Sequence, residues 1–237
     1  DRELAVMRKV DLVVSYNETE HAVILSHNLD STKIAKWPWV VYPKEDIPTF
    51  EERQDIAFLG NYRHPPNVIA VEFFVKEVMP LLKRRIPDIR FLIYGANAPD
   101  EFKKLEAEGA ILKGYVKNLD DVFKNIKVFV APLLSGAGIK GKVLEALSYG
   151  VPSVLSPIAA EATGILNNFH AIIAENPKEW VDAIYNLYTN KELWERISKN
   201  AYEFAKSEYS FEKGRRLVIK ALEMVNIYVP YENYILR

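Results

Sequence analysis

The chain has 237 residues, of which 49% are hydrophobic, and this length is enough to bury one full core and part of a second. Lysine and arginine number 31 against 32 acidic residues, so no overall field directs the chain to nucleic acid, and a polyanion would have to bind at a local site. Cysteine is absent, which excludes disulfides and thiolate metal sites and predicts a cytoplasmic location.

The first predicted elements form one βαβ unit. The apolar pattern predicts strands over residues 10–15 and 39–42, with no element before residue 10. The helix between them is predicted over residues 19–27, with Asn17 as its N-cap. Such a unit cannot cover both faces of its strands by itself. Residues 1–45 are therefore interpreted as the C-terminal fragment of a preceding domain.

A second series of strands and helices follows a polar, proline-bearing segment at residues 46–54, which is interpreted as a linker. Strands are predicted over residues 56–60, 89–95, 110–114, 128–134, 151–156 and 171–174, and helices from Pro65, Asp100, Leu119 and about residue 141, then over 177–188, 191–206 and 211–226. Gly150 is expected at the C′ position of the fourth of these helices. Short buried strands that alternate with helices are typical of an α/β fold, so residues 55–208 are predicted to form a Rossmann-like parallel sheet with helices on both faces.

The predicted strand 128–134 leads into a glycine-rich loop at residues 136–142 that opens a helix. Unpaired backbone N–H groups at the positive end of a helix dipole form an anion site, and glycines allow close approach. Lys140 and Lys142 add full positive charge to this loop. The loop is therefore predicted to bind phosphate, although a tight strand-to-helix connection with solvated lysines is an alternative interpretation.

Two other phosphate-binding patterns match the same loop. Residues 136–141 fit the G-x-G-x-x-G pattern of dinucleotide folds, with Glu161 near the spacing of the ribose-binding acid, but the loop does not follow the first strand of the series. Residues 136–142 also fit part of a Walker A loop, in which Val143 takes the place of the hydroxyl residue that binds magnesium. Both patterns share with the prediction above a backbone loop that binds phosphate.

From Phe58 to about Ile165 the sequence resembles the C-terminal domain of group 1 (family 4) retaining glycosyltransferases, which have the GT-B fold. The segments that carry the resemblance are Phe58-Leu-Gly-Asn61, His64-Pro-Pro-Asn67, Phe91-Leu-Ile-Tyr-Gly95, Gly114-Tyr-Val116, Val130-Ala-Pro132 and the run from Gly136 to Pro152. The resemblance implies the C-terminal half of a GT-B fold. It also implies that residues 1–45 are the last part of an acceptor domain and that residues 209–237 are a helix and tail that pack back toward it.

The resemblance implies a site for a nucleotide-diphospho-sugar donor. Glu145 would bind the ribose hydroxyls, and the helix start at residues 138–142 would face the diphosphate, with Lys140 stabilising it as it leaves. The catalytic residues are therefore predicted to be Lys140 and Glu145. The residues predicted to bind the donor are Gly60, Asn61, Tyr115, Val116, Gly136, Ala137, Gly138, Ile139, Lys142 and Glu161.

This sequence departs from the family pattern at two places in the predicted site. Ala137 stands where many members carry a glutamate near the donor sugar, eight positions before Glu145. The loop after residue 60 also lacks the arginine and lysine that often neutralise the diphosphate, so Lys140 is the main candidate for that charge and Arg63 a weaker one.

The function that the resemblance implies is a hexosyltransferase-like, retaining transfer of sugar to a glycan, lipid or other acceptor. We expect no metal and no cofactor beyond the donor, because the four histidines show no ligand spacing. The expected partners are the donor, the acceptor and an N-terminal acceptor domain, without nucleic acid. No apolar run approaches the ~20 residues of a membrane helix, so a soluble chain is expected, with peripheral membrane contact left open. A nucleotide-binding module without turnover and an NAD-binding oxidoreductase are the alternatives.

Overall fold

The computed structural model describes residues 2–29 and 33–229. They group into two compact units, one from the ranges 1–41 and 207–237 and one from 42–206. The predicted domain boundaries at residues 45, 54 and 208 remain predictions. The last eight residues of the expected C-terminal tail lie outside the described residues.

The smaller unit contains a two-stranded parallel sheet with helices. In chain order its elements are α1 (Arg2–Met7), β1 (Val13–Ser15), α2 (Glu18–Leu25), β2 (Ile34–Lys36) and α10 (Phe211–Glu223). The predicted N-cap is confirmed, because the Asn17 side chain accepts a hydrogen bond from the backbone N–H of Glu20. Helix α10 lies against the segment after β2, where a Cβ added to Gly214 would come within 2.5 Å of Val40 Cγ2.

Two predictions for the smaller unit are wrong. Helix α1 precedes β1, whereas no element was expected there. The strand that pairs with β1 is Ile34–Lys36, in the register Val13 to Ile34, and not residues 39–42. Pro38 has no N–H to continue the ladder, and Tyr42 is 65% exposed, so the apolar residues after Lys36 do not form a strand.

The larger unit is built on a six-stranded sheet in which all strands are parallel, and the predicted fold class is confirmed. Its strands are β3 (Gln54–Leu59), β4 (Phe91–Tyr94), β5 (Ala110–Gly114), β6 (Ile126–Ala131), β7 (Ser153–Leu155) and β8 (Ile172–Ile173). Their spatial order is β5-β4-β3-β6-β7-β8, so the order of connection reverses between β3 and β6. In doubly wound folds, ligands bind outside the carboxyl ends of the strands at such a switch point.

The helices of the larger unit lie between these strands in the chain or follow the last of them. They are α3 (Pro65–Phe73), α4 (Met79–Arg85), α5 (Asp120–Phe123), α6 (Gly141–Ser148), α7 (Pro157–Ala160), α8 (Pro177–Thr189) and α9 (Lys191–Glu208), with a 3₁₀ helix at Asp100–Glu108. A π-helical turn, Phe74–Val78, joins α3 to α4. Pro80 follows this turn, and its missing N–H explains why the regular α-helical ladder is interrupted there.

The ends of β6 and α6 bound the segment that contains the predicted loop. Strand β6 ends at Ala131, three residues earlier than expected, because Pro132 cannot donate to the ladder. Helix α6 ends before Gly150, whose φ of +61° confirms the predicted left-handed turn. Among the described helices, none is long and apolar enough to cross a membrane.

Candidate donor-binding site

The glycine-rich loop lies between β6 and α6, at the carboxyl edge of the sheet. Because β6 pairs with β3, the loop after β6 and the loop that begins at Gly60 leave the sheet side by side. This is the switch point of the sheet. The structure therefore places the predicted phosphate loop where a doubly wound fold binds its ligand.

Lys142 projects from the first turn of α6 toward the loop after β3. Its Nζ donates a hydrogen bond of 2.6 Å to Asn67 Oδ1 on α3, and it lies 4.3 Å from the ring centroid of Phe58 on β3. Burial, with a smaller contribution from nearby Lys140, lowers the pKa of Lys142 to about 7. No carboxylate of the described residues forms an ion pair with this ammonium group.

Lys140 is the N-cap residue of α6, and its side chain folds back over the loop. Its Nζ donates a hydrogen bond of 2.5 Å to the carbonyl oxygen of Gly138. Burial lowers the pKa of Lys140, and the exposed carboxylate of Glu161 opposes that shift. Lys140 therefore interacts electrostatically both with Lys142 on α6 and with Glu161 after α7.

The backbone of the loop is open to an anion. Gly136 and Gly138 have φ angles of +132° and +73°, which L side chains rarely adopt. A Cβ added to Gly138 would have no atom within 4 Å, so the backbone conformation and not crowding requires glycine there. Within the described residues, no hydrogen bond is formed by the N–H groups of Gly141 and Lys142 at the start of α6. Such groups, at the positive end of a helix, attract phosphate.

Glu145 lies on α6, about one turn beyond Lys142, and is half-buried. Burial raises its pKa, and the positive charge of Lys44 opposes that shift. The Lys44 ammonium group also pairs with Asp120 at 3.2 Å and lies 4.9 Å from the ring centroid of Tyr149. Lys44 precedes the segment interpreted as a linker, and no sequence pattern indicated its proximity to Glu145.

Gly60 and Asn61 hold the loop after β3 in place through hydrogen bonds to other residues. The Gly60 N–H donates to the Tyr94 carbonyl at 3.0 Å. The Asn61 carbonyl accepts a bond of 2.8 Å from Asn67 Nδ2, and its side-chain oxygen accepts one of 3.0 Å from Asn97 Nδ2. A chain of three asparagines therefore connects the loops after β3 and β4 to Lys142.

Tyr115 and Val116 follow β5, at the edge of the sheet. Strands β4 and β3 separate them from β6, so three strand spacings of about 4.8 Å place them roughly 14 Å from the glycine-rich loop. Tyr115 is 74% exposed, while Val116 is half-buried. On this estimate they lie apart from the loop but on the same edge of the sheet.

Sequence patterns did not single out Asn67, Phe58, Asn97 and Lys44 as site residues. Asn67 follows two prolines on the first turn of α3, a position that also suits a helix start. Its contact with Lys142 spans 75 residues, and no local spacing predicts such a pair. No group of three metal-ligating side chains suited to a metal ion is found among residues 2–29 and 33–229.

A scan against known families matches residues 53–190, more than half of the chain, to the family described as Glycosyl transferases group 1. The chain belongs to this family, which confirms the resemblance of the segments quoted above. The dinucleotide-fold alternative finds no support, because the glycine-rich loop follows the fourth strand of the sheet instead of the first.

Two curated proteins are similar in sequence. An uncharacterized 44.6 kDa protein in the cps region of Klebsiella pneumoniae is 26% identical over 168 residues, which cover 67% of this chain and 43% of that protein. A phosphatidyl-myo-inositol mannosyltransferase of Mycolicibacterium smegmatis is 28% identical over 145 residues, which cover 59% of this chain and 35% of that protein. The chain therefore spans less than half the length of both proteins.

Solved structures share the fold at low sequence identity. TarM of S. aureus, a variant crystallised with fondaparinux, alpha-GlcNAc-glycerol and UDP, superposes with a TM-score of 0.76 at 20% identity over 94% of this chain and 46% of TarM. HepE of Anabaena, in complex with UDP and glucose, gives 0.74 at 10% identity over 94% of this chain and 67% of HepE. WaaG, a glycosyltransferase involved in lipopolysaccharide biosynthesis, gives 0.67 at 14% identity over 89% of this chain and 62% of WaaG.

Proposed function

We propose that this chain is the donor-binding half of a retaining, hexosyltransferase-like glycosyltransferase. It would bind a nucleotide-diphospho-sugar and present it for transfer to a glycan, lipid or other acceptor. One observation carries the proposal. A glycine-rich loop, a helix start with unpaired N–H groups and the enclosed side chain of Lys142 converge at the switch point of a sheet whose chain belongs to the group 1 glycosyltransferases.

In this proposal the protein stabilises the negative charge that develops on the leaving diphosphate. The N–H groups at the start of α6, with Lys140 and Lys142, supply positive charge at fixed positions, and no metal is required. Removal of one such fixed donor from a site of this kind slows catalysis by about 10²–10³-fold. Gly136, Ala137, Gly138 and Ile139 would line this part of the site through their backbone groups.

The rest of the donor would extend along the carboxyl edge of the sheet. The Glu145 carboxylate would accept hydrogen bonds from both ribose hydroxyls, and half-burial would strengthen these bonds. Tyr115 and Val116, about 14 Å away across the strand ends, would meet the nucleobase. Gly60, Asn61 and Glu161 would complete the wall around the diphosphate and sugar.

The acceptor is proposed to bind to a part of the enzyme outside residues 1–237, since the chain spans 43% and 35% of its curated relatives. Apolar side chains on the smaller unit are exposed, among them Val6 at 58% and Val23 at 55%. They would be covered by such an N-terminal acceptor domain. We further propose a cytoplasmic enzyme of glycan biosynthesis, with peripheral contact to a membrane if its acceptor is a lipid.

Binding of the donor is tested by calorimetry and thermal shift with UDP, GDP, ADP, their sugar conjugates and NAD. UDP comes first, because the structures of TarM, HepE and the O-GlcNAc transferase GtfA were solved with it. The variants Lys140→Ala, Lys142→Met and Glu145→Ala should each weaken binding by at least about tenfold, which corresponds to one lost charged hydrogen bond of about 1.5–3 kcal/mol. The exposed residues in Lys104→Ala and Glu203→Ala serve as controls and should leave binding unchanged.

The screen separates this proposal from the alternatives. Preference for NAD over every sugar nucleotide would favour an oxidoreductase. Binding that is insensitive to Lys142→Met and Glu145→Ala would contradict the assignment of the site. Assays of the whole enzyme with the donor that binds, with the product anomer identified by NMR, decide between retention, inversion and a nucleotide-binding module without turnover.

A further inference from the structure

Lys142 is enclosed by groups that solvate an ammonium ion poorly. Among the described residues, its Nζ donates a hydrogen bond to the neutral amide oxygen of Asn67 and lies against the ring of Phe58. A cation–π contact stabilises an ammonium ion by less than the burial of that ion costs. The second effect is larger, so the empty site favours the uncharged amine.

The charged groups on the surrounding elements do not compensate for this burial. Lys140, which has the same sign, lowers the pKa of Lys142 further. The carboxylate of Glu161 acts on Lys140, and that of Glu145 lies near Lys44. On the side of α3, the preceding loop carries Arg63 and His64, which supply no negative charge. The positive end of the α6 dipole also disfavours a cation.

We propose that binding of the donor's diphosphate at the start of α6 is coupled to the uptake of one proton by Lys142, which Asn67 holds in position. The inference rests on the proposed function. The proton comes from solvent and binds to the lone pair of the Nζ amine, which becomes an ammonium group facing the two phosphate charges. No bond to the donor is formed or broken in this step.

The size of the pH dependence follows from the difference between the pKa of Lys142 in the empty site and its pKa with donor bound. Without donor, Lys142 loses its proton near pH 7, because burial lowers its pKa to about 7. The bound diphosphate raises the pKa, since an opposite charge within a few ångströms favours the charged form. Between the two pKa values, affinity for the donor should fall about tenfold for each unit of rising pH, and up to one proton should be taken up per donor bound.

The first test follows the lysine itself in the chain without donor. The NMR signals of the lysine Cε carbons, with the Lys142 signal identified by its loss in Lys142→Arg, should show one lysine that titrates near neutral pH. A Lys142 signal that titrates near pH 10, as an exposed lysine does, would overturn the inference.

The second test uses UDP-glucose, whose diphosphate has no ionisation near neutral pH, unlike the terminal phosphate of free UDP. Calorimetry at pH 8 in two buffers of different ionisation enthalpy should show proton uptake, and affinity should fall about tenfold between pH 8 and pH 9. In Lys142→Arg the side chain stays charged, so both effects should disappear. In Asn67→Asp a carboxylate would hold the proton on Lys142 in the empty site, and proton uptake at pH 8 should disappear as well.

The outcomes separate the inference from the proposed function. Binding of UDP-glucose at constant affinity from pH 7 to pH 9, without proton uptake, overturns the inference and leaves the donor site standing. Absence of binding at pH 6, where Lys142 is charged, by UDP-glucose and by the GDP and ADP conjugates alike, overturns the proposed function, and the coupling with it.

Discussion

Replacement of Lys142 by methionine should make the protein more stable at neutral pH. The folded chain holds Lys142 with a pKa lowered to about 7, against an ordinary value of 10.5 in the unfolded chain. At about 1.36 kcal/mol per pH unit, this difference in pKa lowers the free energy of unfolding by about 5 kcal/mol at and below pH 7. The figure is an upper limit, because the residue as a whole is only half-buried.

The sign follows from proton binding. Between pH 7 and 10.5 the unfolded chain binds one more proton than the folded chain at this residue, so wild-type stability rises with pH across that window. The stability of Lys142→Met lacks this dependence on pH, because methionine does not titrate. The advantage of the variant should therefore be largest at pH 6 and should disappear toward pH 10.5, apart from a pH-independent loss of about 1–3 kcal/mol from the unpaired amide oxygen of Asn67.

The measurement is equilibrium unfolding in guanidinium chloride at pH 6, 8 and 10, followed by tryptophan fluorescence. Trp180 and Trp194 are buried in the larger unit and report on its unfolding. Lys104→Met, at an exposed position, serves as the control and should show no pH-dependent difference from wild type. A stability difference between Lys142→Met and wild type that is equal at pH 6 and pH 10 would refute the reasoning.

Three further changes test how the scaffold supports the site. Gly150→Ala should destabilise the chain by about 1–2 kcal/mol in urea titration, because φ is +61° and the new Cβ would lie 3.0 Å from Ile47 Cγ2; an unchanged midpoint would contradict this. Gly95→Ala should lower the free energy of unfolding by about 3 kcal/mol or more, because its Cβ would lie 1.7 Å from the Gly60 carbonyl oxygen. The variant should also bind UDP-glucose more weakly, and unchanged binding would contradict this steric explanation. His170 accepts a backbone hydrogen bond through Nδ1, and burial lowers its pKa, so stability should fall as pH drops below about 6.5. His170→Phe should reduce that acid sensitivity, and an equal pH profile would contradict the assignment.

Local sequence determined most of the elements and where they end. The Asn17 cap and the turn at Gly150 were predictable because each depends on residues within a few positions. No strand forms at residues 39–42, although their apolar side chains suit one, because Pro38 cannot donate to a ladder and β1 already pairs with Ile34–Lys36. A local sequence pattern predicts the secondary structure of a segment but not which segment pairs with it.

Only the tertiary structure decided which residues surround the lysines of the glycine-rich loop and of the first turn of α6. The sequence by itself placed a glycine-rich loop with two lysines before a helix, and it favoured Lys140 as the charge that meets the diphosphate. The fold sets β3 beside β6, and this pairing encloses Lys142 between Asn67 and Phe58, residues far from it in sequence. Burial, which depends on all the elements packed around a group, sets the charge of that lysine, and no local pattern of residues encodes it.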